Sequence, residues 1–344
     1  MPLPAGLSEE FLSTTSFNYL QKRRSLQSQP HPLLETLLKA KQKNEGGDLL
    51  IVPFDVRRVN RIGGTRWITG YESVLMDFQR IHEAGNVGQA FTVYPIPWSM
   101  VDEQKNSSAQ RQISLIEEYT KDVHDDAEEN AETHFLQGGI TAMADWQTFN
   151  GDDVADGFLE SIAPGAQNNV VQDFNKASFA ALPGANNQFG DINGTFSTAG
   201  LSTLREHQVR LRSLTKGGRL AGIASIMGAT NYGRAVQASE RYTAGGADAV
   251  SMIEEISIGG IMYKISRFMP NAGPVTGVAT QEWSFLTIDL EAAFIKAFAG
   301  MSFDQEPFQR IPGTGTSIAL VHVAGQLVII FFGSCGIIRG GDTW

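Results

Sequence analysis

Cysteine is scarce in this sequence, and the common nucleotide-binding motifs are missing from it. Cys335 is the one cysteine among 344 residues, so an internal disulfide cannot form and a disulfide-stabilised secreted scaffold is excluded. There is no GxxxxGKS or GxxxxGKT loop, and no GxGxxG motif follows a predicted strand. No residues are spaced to combine a nucleophile, a base and an orienting group. We therefore expect no catalytic residues, no bound cofactor and no enzyme activity.

A metal site is not expected either, although two histidines need testing against that idea. His124 and His134 share a predicted helix with many carboxylates, and such side chains can bind metals. The pattern lacks the Glu-x-x-His pair that di-metal helix bundles use. Cys335 lies in an apolar run near the C-terminus, which is typical of a small buried residue rather than a nucleophile.

Positive charge is also in deficit, and the excess negative charge is concentrated in one segment. The chain has 27 basic and 37 acidic residues, a formal net charge of -10. Residues 102–160 hold 15 acidic and three basic residues, whereas the remainder holds 22 acidic and 24 basic. Nucleic-acid affinity depends on clustered lysine and arginine, so the chain is a poor general nucleic-acid binder. A solvated helix face is the simplest interpretation of the acidic segment.

One long stretch, residues 317–338, contains no charged side chain and has the length of a membrane-spanning helix. His322 and Gln326 interrupt it, and residues 324–326 separate two β-branched runs. This punctuation favours two buried strands joined by a tight turn. The N-terminal sequence MPLPAGLSEEF has no basic region followed by an apolar core, so we expect no signal peptide. A membrane-anchored protein is the less favoured alternative.

The first 98 residues predict an arm followed by a long two-stranded excursion. In the arm, residues 1–48, the leucines at 33, 34, 37 and 38 predict a short amphipathic helix after Pro32. Residues 49–52 predict an outgoing strand and residues 91–94 a returning strand, ended by Pro95 and Pro97. An isolated two-stranded ribbon is marginally stable in water, so we expect another subunit to cover it. A solvent-exposed flexible insertion is the alternative.

The clearest helix is predicted over residues 104–136, a rod of roughly 50 Å at 1.5 Å per residue. Ser107 and Gln110 have the spacing of a capping box, and Gly138 and Gly139 end the helix. One face is an apolar stripe of Ile113, Ile116, Tyr119, Val123, Ala127, Ala131 and Phe135. The opposite face is acidic and consists of Glu117, Glu118, Asp122, Asp125, Asp126, Glu128, Glu129 and Glu132.

The rest of the chain predicts short alternating elements. Residues 157–199 are interpreted as loops with short elements, and a helix follows from Thr203, with Glu206 completing a capping box. A buried strand is predicted over residues 220–227, a helix over 231–242 and a strand over 283–288. Gly259 and Gly260 predict a hairpin turn. A last helix is predicted over residues 289–299, with Asp289 as its N-cap.

This order of segments resembles the major capsid proteins of tailed bacteriophages, which have the Hong Kong ninety-seven-like fold. Residues 48–98 are similar to the extended loop, residues 103–138 to the spine helix, and residues 252–270 with 289–339 to the axial domain and the returning peripheral strands. The resemblance implies an α+β fold in four parts. These are an N-terminal arm (1–48), an extended loop (49–98), a peripheral domain (99–156 and 285–344, with the spine helix at 104–136) and an axial domain (157–284).

The resemblance implies a structural protein that self-assembles into hexamers and pentamers, forming an icosahedral head around viral double-stranded DNA. The implied partners are other copies of the chain, a portal, a scaffold, decoration proteins and, by non-specific contact, the packaged DNA, with no membrane. Such a protein is assembled in the host cytoplasm and resides in the virion. An encapsulin-like compartment shell is an alternative with the same fold.

Complementary charge indicates where subunits would meet, because the loop is basic and the spine segment is acidic. The predicted inter-subunit residues are Arg57, Arg58, Arg61, Arg66, Trp67, Arg80, Glu117, Asp122, Asp125 and Glu129. No lysine lies between Lys43 and Lys105, so the lysine–asparagine cross-link that some family members form from this loop is impossible here. Because only about 48 residues precede the body, we expect no cleaved scaffolding segment and a separate scaffold.

Overall fold

Within the described residues, the strands form two large β-sheets and two separate two-stranded sheets, and one core contacts both large sheets. The computed structural model describes residues 16, 31–40, 42–44, 49–55, 82–88, 90–99, 109–137, 147–148, 157–162, 170–171, 174–175, 188–192, 195–215, 219–240, 255–269, 283–298 and 302–340. The helices are α1 (Pro32–Lys39), α2 (Ala109–Gln137), α3 (Phe158–Ile162), α4 (Leu201–Leu214) and α5 (Ile226–Glu240). The strands are β1 (Gln42–Asn44), β2 (Leu49–Asp55), β3 (His82–Gly88), β4 (Ala90–Ser99), β5 (Gln147–Thr148), β6 (Val170–Val171), β7 (Phe174–Asn175), β8 (Gln188–Ile192), β9 (Leu220–Ala224), β10 (Glu255–Ile258), β11 (Ile261–Ile265), β12 (Trp283–Asp289), β13 (Ala293–Phe298), β14 (Ser302–Gln305), β15 (Gln309–Arg310), β16 (Thr316–Ile329) and β17 (Gly336–Gly340).

The first sheet is built around the 14-residue strand β16. Its order is β1-β13-β16-β4-β5, and β14 and β15 also pair with β16. Strands β4 and β16 run antiparallel over their whole shared length, from Thr316 opposite Ser99 to Gly325 opposite Ala90. The second half of β16 is buried on both faces, which explains why its sequence is apolar without alternation.

The second sheet has the order β10-β11-β9-β12-β17-β8 and mixes parallel with antiparallel pairs. The predicted hairpin between β10 and β11 is confirmed, and Gly259 and Gly260 have φ values of 58° and 80°. Two consecutive positive φ values are those of a type I′ turn, whose twist matches that of the flanking strands. Strands β12 and β17 belong to this sheet, so the predicted boundary between residues 284 and 285 falls inside β12.

The core is continuous from the N-terminal helix to the second sheet. Helix α1 packs against α2, β9, β11 and β13, which brings Leu33 and Leu37 against residues of both sheets. A smaller cluster lies where α4 and α5 contact the second sheet, and it includes Phe196, Leu204 and Tyr263. The predicted helix after Pro32 is confirmed, since α1 begins at this proline and buries three of its four leucines.

The predicted hairpin excursion is present, but its returning strand was placed wrongly. Strand β2 pairs with β3, in the register Leu49 opposite Gly88 and Asp55 opposite His82. Residues 91–94 belong instead to β4 of the first sheet, and that strand continues through Pro95 and Pro97 to Ser99. On the β5 side, β4 is paired only at Ala90 and Phe91. Both prolines lie beyond this pairing, so the N–H groups that they lack remove no hydrogen bond between β4 and β5.

The apolar stretch 317–338 does not fold as two strands joined at residues 324–326. Strand β16 passes straight through Gly325, which pairs with Ala90, and the chain turns only at residues 330–335 before β17. Gly325 therefore interrupts the apolar pattern of the sequence, but it does not end the strand. Within the described residues, no helix is long and apolar enough to cross a membrane.

The predicted helix over residues 289–299 is a strand. Asp289 ends β12 and its carboxylate Oδ1 accepts the backbone N–H of Glu291 at 3.1 Å, which closes a turn rather than starting a helix. Residues 293–298 then form β13 between β1 and β16. Ala293, Phe294 and Ile295 are all buried, and burial on both faces removes the alternation that would have identified a strand.

Two helix starts also differ from those predicted. Helix α4 begins at Leu201 directly after a π-helical turn, Phe196–Gly200, so Thr203 lies inside the helix and does not cap it. The strand predicted over residues 220–227 is shorter than expected and ends at Ala224, because helix α5 begins at Ile226 and not at residue 231. The Ser225 hydroxyl accepts the backbone N–H of Gly228 at 3.0 Å and is the side-chain N-cap of this helix.

Candidate assembly surface and the anchoring of the N-terminal helix

Helix α2 carries four of the ten predicted inter-subunit residues and is the element on which the structure describes them. Its 29 residues lie within the predicted range except for Gln137. Four residues of the predicted apolar stripe are at most 2% exposed, namely Ile116, Ala127, Ala131 and Phe135, and the other three, Ile113, Tyr119 and Val123, are half-buried. Because this face is fixed in the core, the orientation of the other faces follows from the helical repeat.

The acidic face of α2 is largely open to solvent. Glu118, Asp122, Asp126 and Glu129 are exposed, and Glu117, Asp125 and Glu128 are half-buried. Four predicted inter-subunit residues therefore lie on one helix, at positions a partner could reach, namely Glu117, Asp122, Asp125 and Glu129. An exposed row of carboxylates favours a basic partner through electrostatic complementarity.

One of these carboxylates already has a partner within the chain. Glu129 accepts a hydrogen bond from Nη2 of Arg267 at 3.0 Å, and both side chains are about half exposed. The Arg267 guanidinium also lies 4.6 Å from the ring centroid of Phe268. Exposed ion pairs contribute between 0 and about 1 kcal/mol, so this pair orients the turn after β11 without fixing it strongly.

Glu132 was predicted on the solvated acidic face, and that prediction is wrong. Its side chain is fully buried between α1, α2 and the end of β11. Oε1 accepts the backbone N–H of Leu33 and the hydroxyl of Ser266, both at 3.1 Å. Oε2 accepts the backbone N–H of Leu34 at 2.6 Å. The first N–H groups of a helix have no partner within it, so this carboxylate caps α1 from another helix.

Burial dominates the ionisation of Glu132. Removal of the carboxyl from water raises its pKa from 4.5 to about 7. The hydrogen bonds from Leu34, Leu33 and Ser266, and the charge of Lys264, act in the opposite direction because they favour the carboxylate. The raised value shows that desolvation is the larger of these effects.

Two further contacts hold the N-terminal region on the body. Glu35 on α1 accepts hydrogen bonds from Lys39 on the same helix and from Lys264 on β11. Ser16 is fully buried, and its hydroxyl lies 3.0 Å from Oγ1 of Thr120 on α2 and 2.9 Å from Oε1 of Gln305 on β14. The described parts of the arm therefore contact the same long helix at two places, Thr120 near its middle and Glu132 near its C-terminal end.

The basic half of the predicted assembly surface lies outside the described residues. Arg57, Arg58, Arg61, Arg66, Trp67 and Arg80 all belong to the segment between β2 and β3. The capping residue Ser107 and the closing glycines 138 and 139 lie outside them too. Strands β2 and β3 pair with each other, and the five arginines and Trp67 lie between the two strands in the sequence.

The histidines and the cysteine are buried. The side chains of His124, His134 and Cys335 are at most 3% exposed. Burial lowers the pKa of His134 to about 4, so its imidazole is neutral at pH 7. Among the described residues, no group of three histidine, cysteine or carboxylate side chains could hold a metal ion.

Comparison with solved structures gives matches over nearly the whole chain. No family model matches the sequence, and no curated protein matches it. The cyanophage A-1(L) capsid matches with a TM-score of 0.61 and 12% identity, over 91% of this chain and 93% of that chain. The capsid of an empty GTA particle matches with a TM-score of 0.55 and 11% identity, over 91% of both chains.

The chain has a phage-capsid fold of the Hong Kong ninety-seven-like type. The expected resemblance is thereby confirmed at the level of the fold. The same phage-capsid fold also occurs in the SrpI encapsulin of Synechococcus elongatus PCC 7942, which matches with a TM-score of 0.51 and 13% identity, over 94% of this chain and 95% of that chain. Two of these similar structures are capsids and the third is an encapsulin complex.

Sequence reasoning missed the residues that join the arm to the capsid fold. Glu132 carried one weak signal, because it directly follows Ala131 of the buried stripe in the sequence. Ser266 had no signal, since it forms no motif with Glu132 and lies 134 residues away from it.

Proposed function

We propose that this chain is a major capsid protein that self-assembles into hexamers and pentamers, which close into an icosahedral head enclosing viral double-stranded DNA. The observation that supports this most is the fold shared with the cyanophage A-1(L) capsid over 91% of the chain. A subunit of such a shell needs broad surfaces for contact with its neighbours rather than a ligand-binding pocket. The exposed acidic face of α2 is a surface of that kind.

We further propose that the loop arginines of one subunit meet the acidic helix of its neighbour. Residues 56–81 carry five arginines and lie between two paired strands, while Asp122 and Asp126 on α2 are exposed. Pairs of this kind steer association and fix register more than they add affinity. Portal, scaffold and decoration proteins belong to the same proposal, as do non-specific contact with packaged DNA, assembly in the host cytoplasm and a final location in the virion.

Electron microscopy of the purified full-length chain tests the proposal directly. The expected result is uniform icosahedral particles, formed alone or after a scaffold is supplied. A monodisperse monomer under all assembly conditions would contradict the proposal. Because the fold is also that of an encapsulin, nucleic-acid content separates the two shells: DNA-filled particles with a portal at one vertex favour the capsid, and a packaged enzyme favours the compartment.

Charge reversal tests the loop assignment. In the triple variant Arg57→Glu, Arg58→Glu and Arg61→Glu, we expect folded subunits that form no closed shell, because the pairing with the acidic face is replaced by repulsion. The matched control keeps the charge by replacing the same three arginines with lysine, and it should form particles. Normal particles from the glutamate variant would show that these arginines do not direct assembly.

A further inference from the structure

The buried carboxylate of Glu132 is covered by the first turn of α1. Leu33 and Leu34 supply two of its three hydrogen bonds, and both belong to the first turn of α1. Only eight residues long, α1 depends on packing rather than on its own hydrogen bonds for stability. If α1 undocked, Glu132 would lose both backbone donors and regain water.

Among the described residues, no cation forms an ion pair with Glu132, although the charge of Lys264 favours its carboxylate form. On α1, Glu35 is bonded to Lys39 and Lys264, so the lysine of β11 is already engaged. After β11, Arg267 binds Glu129, which faces solvent on α2. At the N-cap of α1, His31 lies 3.9 Å from the carboxylate of Glu128. The charged groups of α1, of β11 with its following turn, and of α2 that are named here are therefore engaged with partners other than Glu132.

We propose that docking of α1 onto α2 is coupled to proton uptake by Glu132, so that the N-terminal arm is held more tightly as the pH falls from 7 to 5. A carboxyl that is buried without a direct ion pair favours its neutral form, and the same carboxyl in water at neutral pH is ionised. The neutral form still accepts hydrogen bonds through its carbonyl oxygen. The coupling therefore follows from what α1 covers, and it is independent of the proposed function.

The direction of the effect follows from the two states of the carboxyl. Burial in the docked state raises the pKa of Glu132 to about 7, against its usual value of 4.5 in water. Docking is therefore strongest below pH 4.5 and weakens as the pH rises through 7. Between these values the docking equilibrium changes by up to about tenfold per pH unit. Above pH 7 both states are ionised and the dependence ends.

Hydrogen exchange of the full-length chain measures this equilibrium. Protection factors of amides 33–38, corrected for the intrinsic pH dependence of exchange, are compared at pH 5, 6, 7 and 8 with those of β12. We expect protection of α1 to fall by about tenfold per pH unit between pH 5 and 7, relative to β12. Protection that stays constant, or that rises with pH, would overturn the proposal.

Two variants and a control isolate Glu132. Glu132→Gln cannot take up a proton, so the pH dependence between 5 and 7 should vanish. Ser266→Ala keeps the carboxyl and removes one donor that favours its charged form, so the transition should move to higher pH. Glu118→Gln on the exposed face of α2 is the matched control and should keep the wild-type profile. A wild-type slope in Glu132→Gln, or an unmoved transition in Ser266→Ala, would refute the coupling.

Discussion

The ring of Tyr263 lies directly over Gly222 of the neighbouring strand, and a β-carbon at Gly222 would lie 2.3 Å from the Cδ1 atom of that ring. The register places Tyr263, Gly222 and Thr287 opposite one another on β11, β9 and β12. The tyrosine hydroxyl therefore reaches across the glycine to lie 2.8 Å from the Thr287 hydroxyl. One side chain thus spans three strands, which fixes their register in the centre of the second sheet.

We predict that Gly222→Ala destabilises the fold by about 3 kcal/mol, at the upper end of the usual cost of overpacking. Tyr263 is fully buried and cannot move aside, because its ring also packs edge-on against Phe285, with centroids 5.5 Å apart. Urea unfolding of the full-length chain measures the change.

A double-mutant cycle identifies the tyrosine as the cause. In the Tyr263→Val background the ring is absent, so Gly222→Ala should cost much less than in the wild type, and the coupling energy should reach about 2 kcal/mol. Additive effects of the two substitutions would mean that the alanine acts through something other than the ring.

The packing of His207 gives a second prediction, on the contact between α4 and the second sheet. A β-carbon at Gly336 would lie 2.5 Å from Nε2 of His207, whereas one at Gly190 would meet Ile338 at 3.2 Å and Thr203 at 3.4 Å. Both glycines lie on adjacent strands, β17 and β8. Gly336→Ala should therefore destabilise the fold by about 2 kcal/mol more than Gly190→Ala, as measured by urea unfolding. Equal losses in the free energy of unfolding for the two variants would show that the His207 imidazole moves aside without an energetic cost.

Much of the fold could be predicted because several helices and turns are identified by residues that are close together in the sequence. The spacing of Leu33 and Leu37, the stripe that includes Ile116, and the Gly259-Gly260 pair each specify an element through interactions between close neighbours in sequence. The errors occur where burial on both faces removes periodicity. Strand β13 and the second half of β16 are apolar on both faces, and no local pattern distinguishes such segments from buried helix or from two shorter strands.

The candidate site was less predictable, for a different reason. The exposed acids of α2 could be found, since their spacing relative to the stripe places them opposite the core. Glu132 has the same residue type and helix, yet it is buried, because the first N–H groups of α1 require an acceptor. That requirement arises 98 residues away from Glu132 and becomes visible only when the two helices are packed together.

Two buried histidines predict a loss of stability in acid. Burial lowers the pKa of His134 to about 4, and burial together with the charge of Arg210 lowers that of His207 to about 4. Both pKa values lie below the usual 6.5, so between pH 6.5 and 4 each histidine binds a proton more readily in the unfolded chain than in the folded one. The free energy of unfolding is therefore highest above pH 6.5 and decreases as the pH falls toward 4. The expected slope is up to about 1.4 kcal/mol per pH unit for each histidine.

Urea unfolding at pH 4.5, 5.5, 6.5 and 7.5 checks this loss. His207→Gln removes one of the two titrating groups, so the free energy of unfolding of this variant should fall less steeply with acid than that of the wild type. The comparison between the two proteins cancels the opposite contribution of Glu132, which is common to both. Parallel curves would show that His207 does not titrate in this range.

Ile116 provides the test of the buried stripe on α2. Its side chain is 1% exposed, and Ile116→Asp would place an unpaired carboxylate in the core that joins α2 to both sheets. We expect a loss of at least about 3 kcal/mol, because the substitution combines lost packing with a buried charge. Lys121→Asp on the exposed side of the same helix introduces the same residue in water and should cost less than about 1 kcal/mol. The midpoint of thermal unfolding, measured for both variants and the wild type, distinguishes the buried face of α2 from its exposed face. An unchanged midpoint for Ile116→Asp would mean that the face with Ile116 is not part of the core.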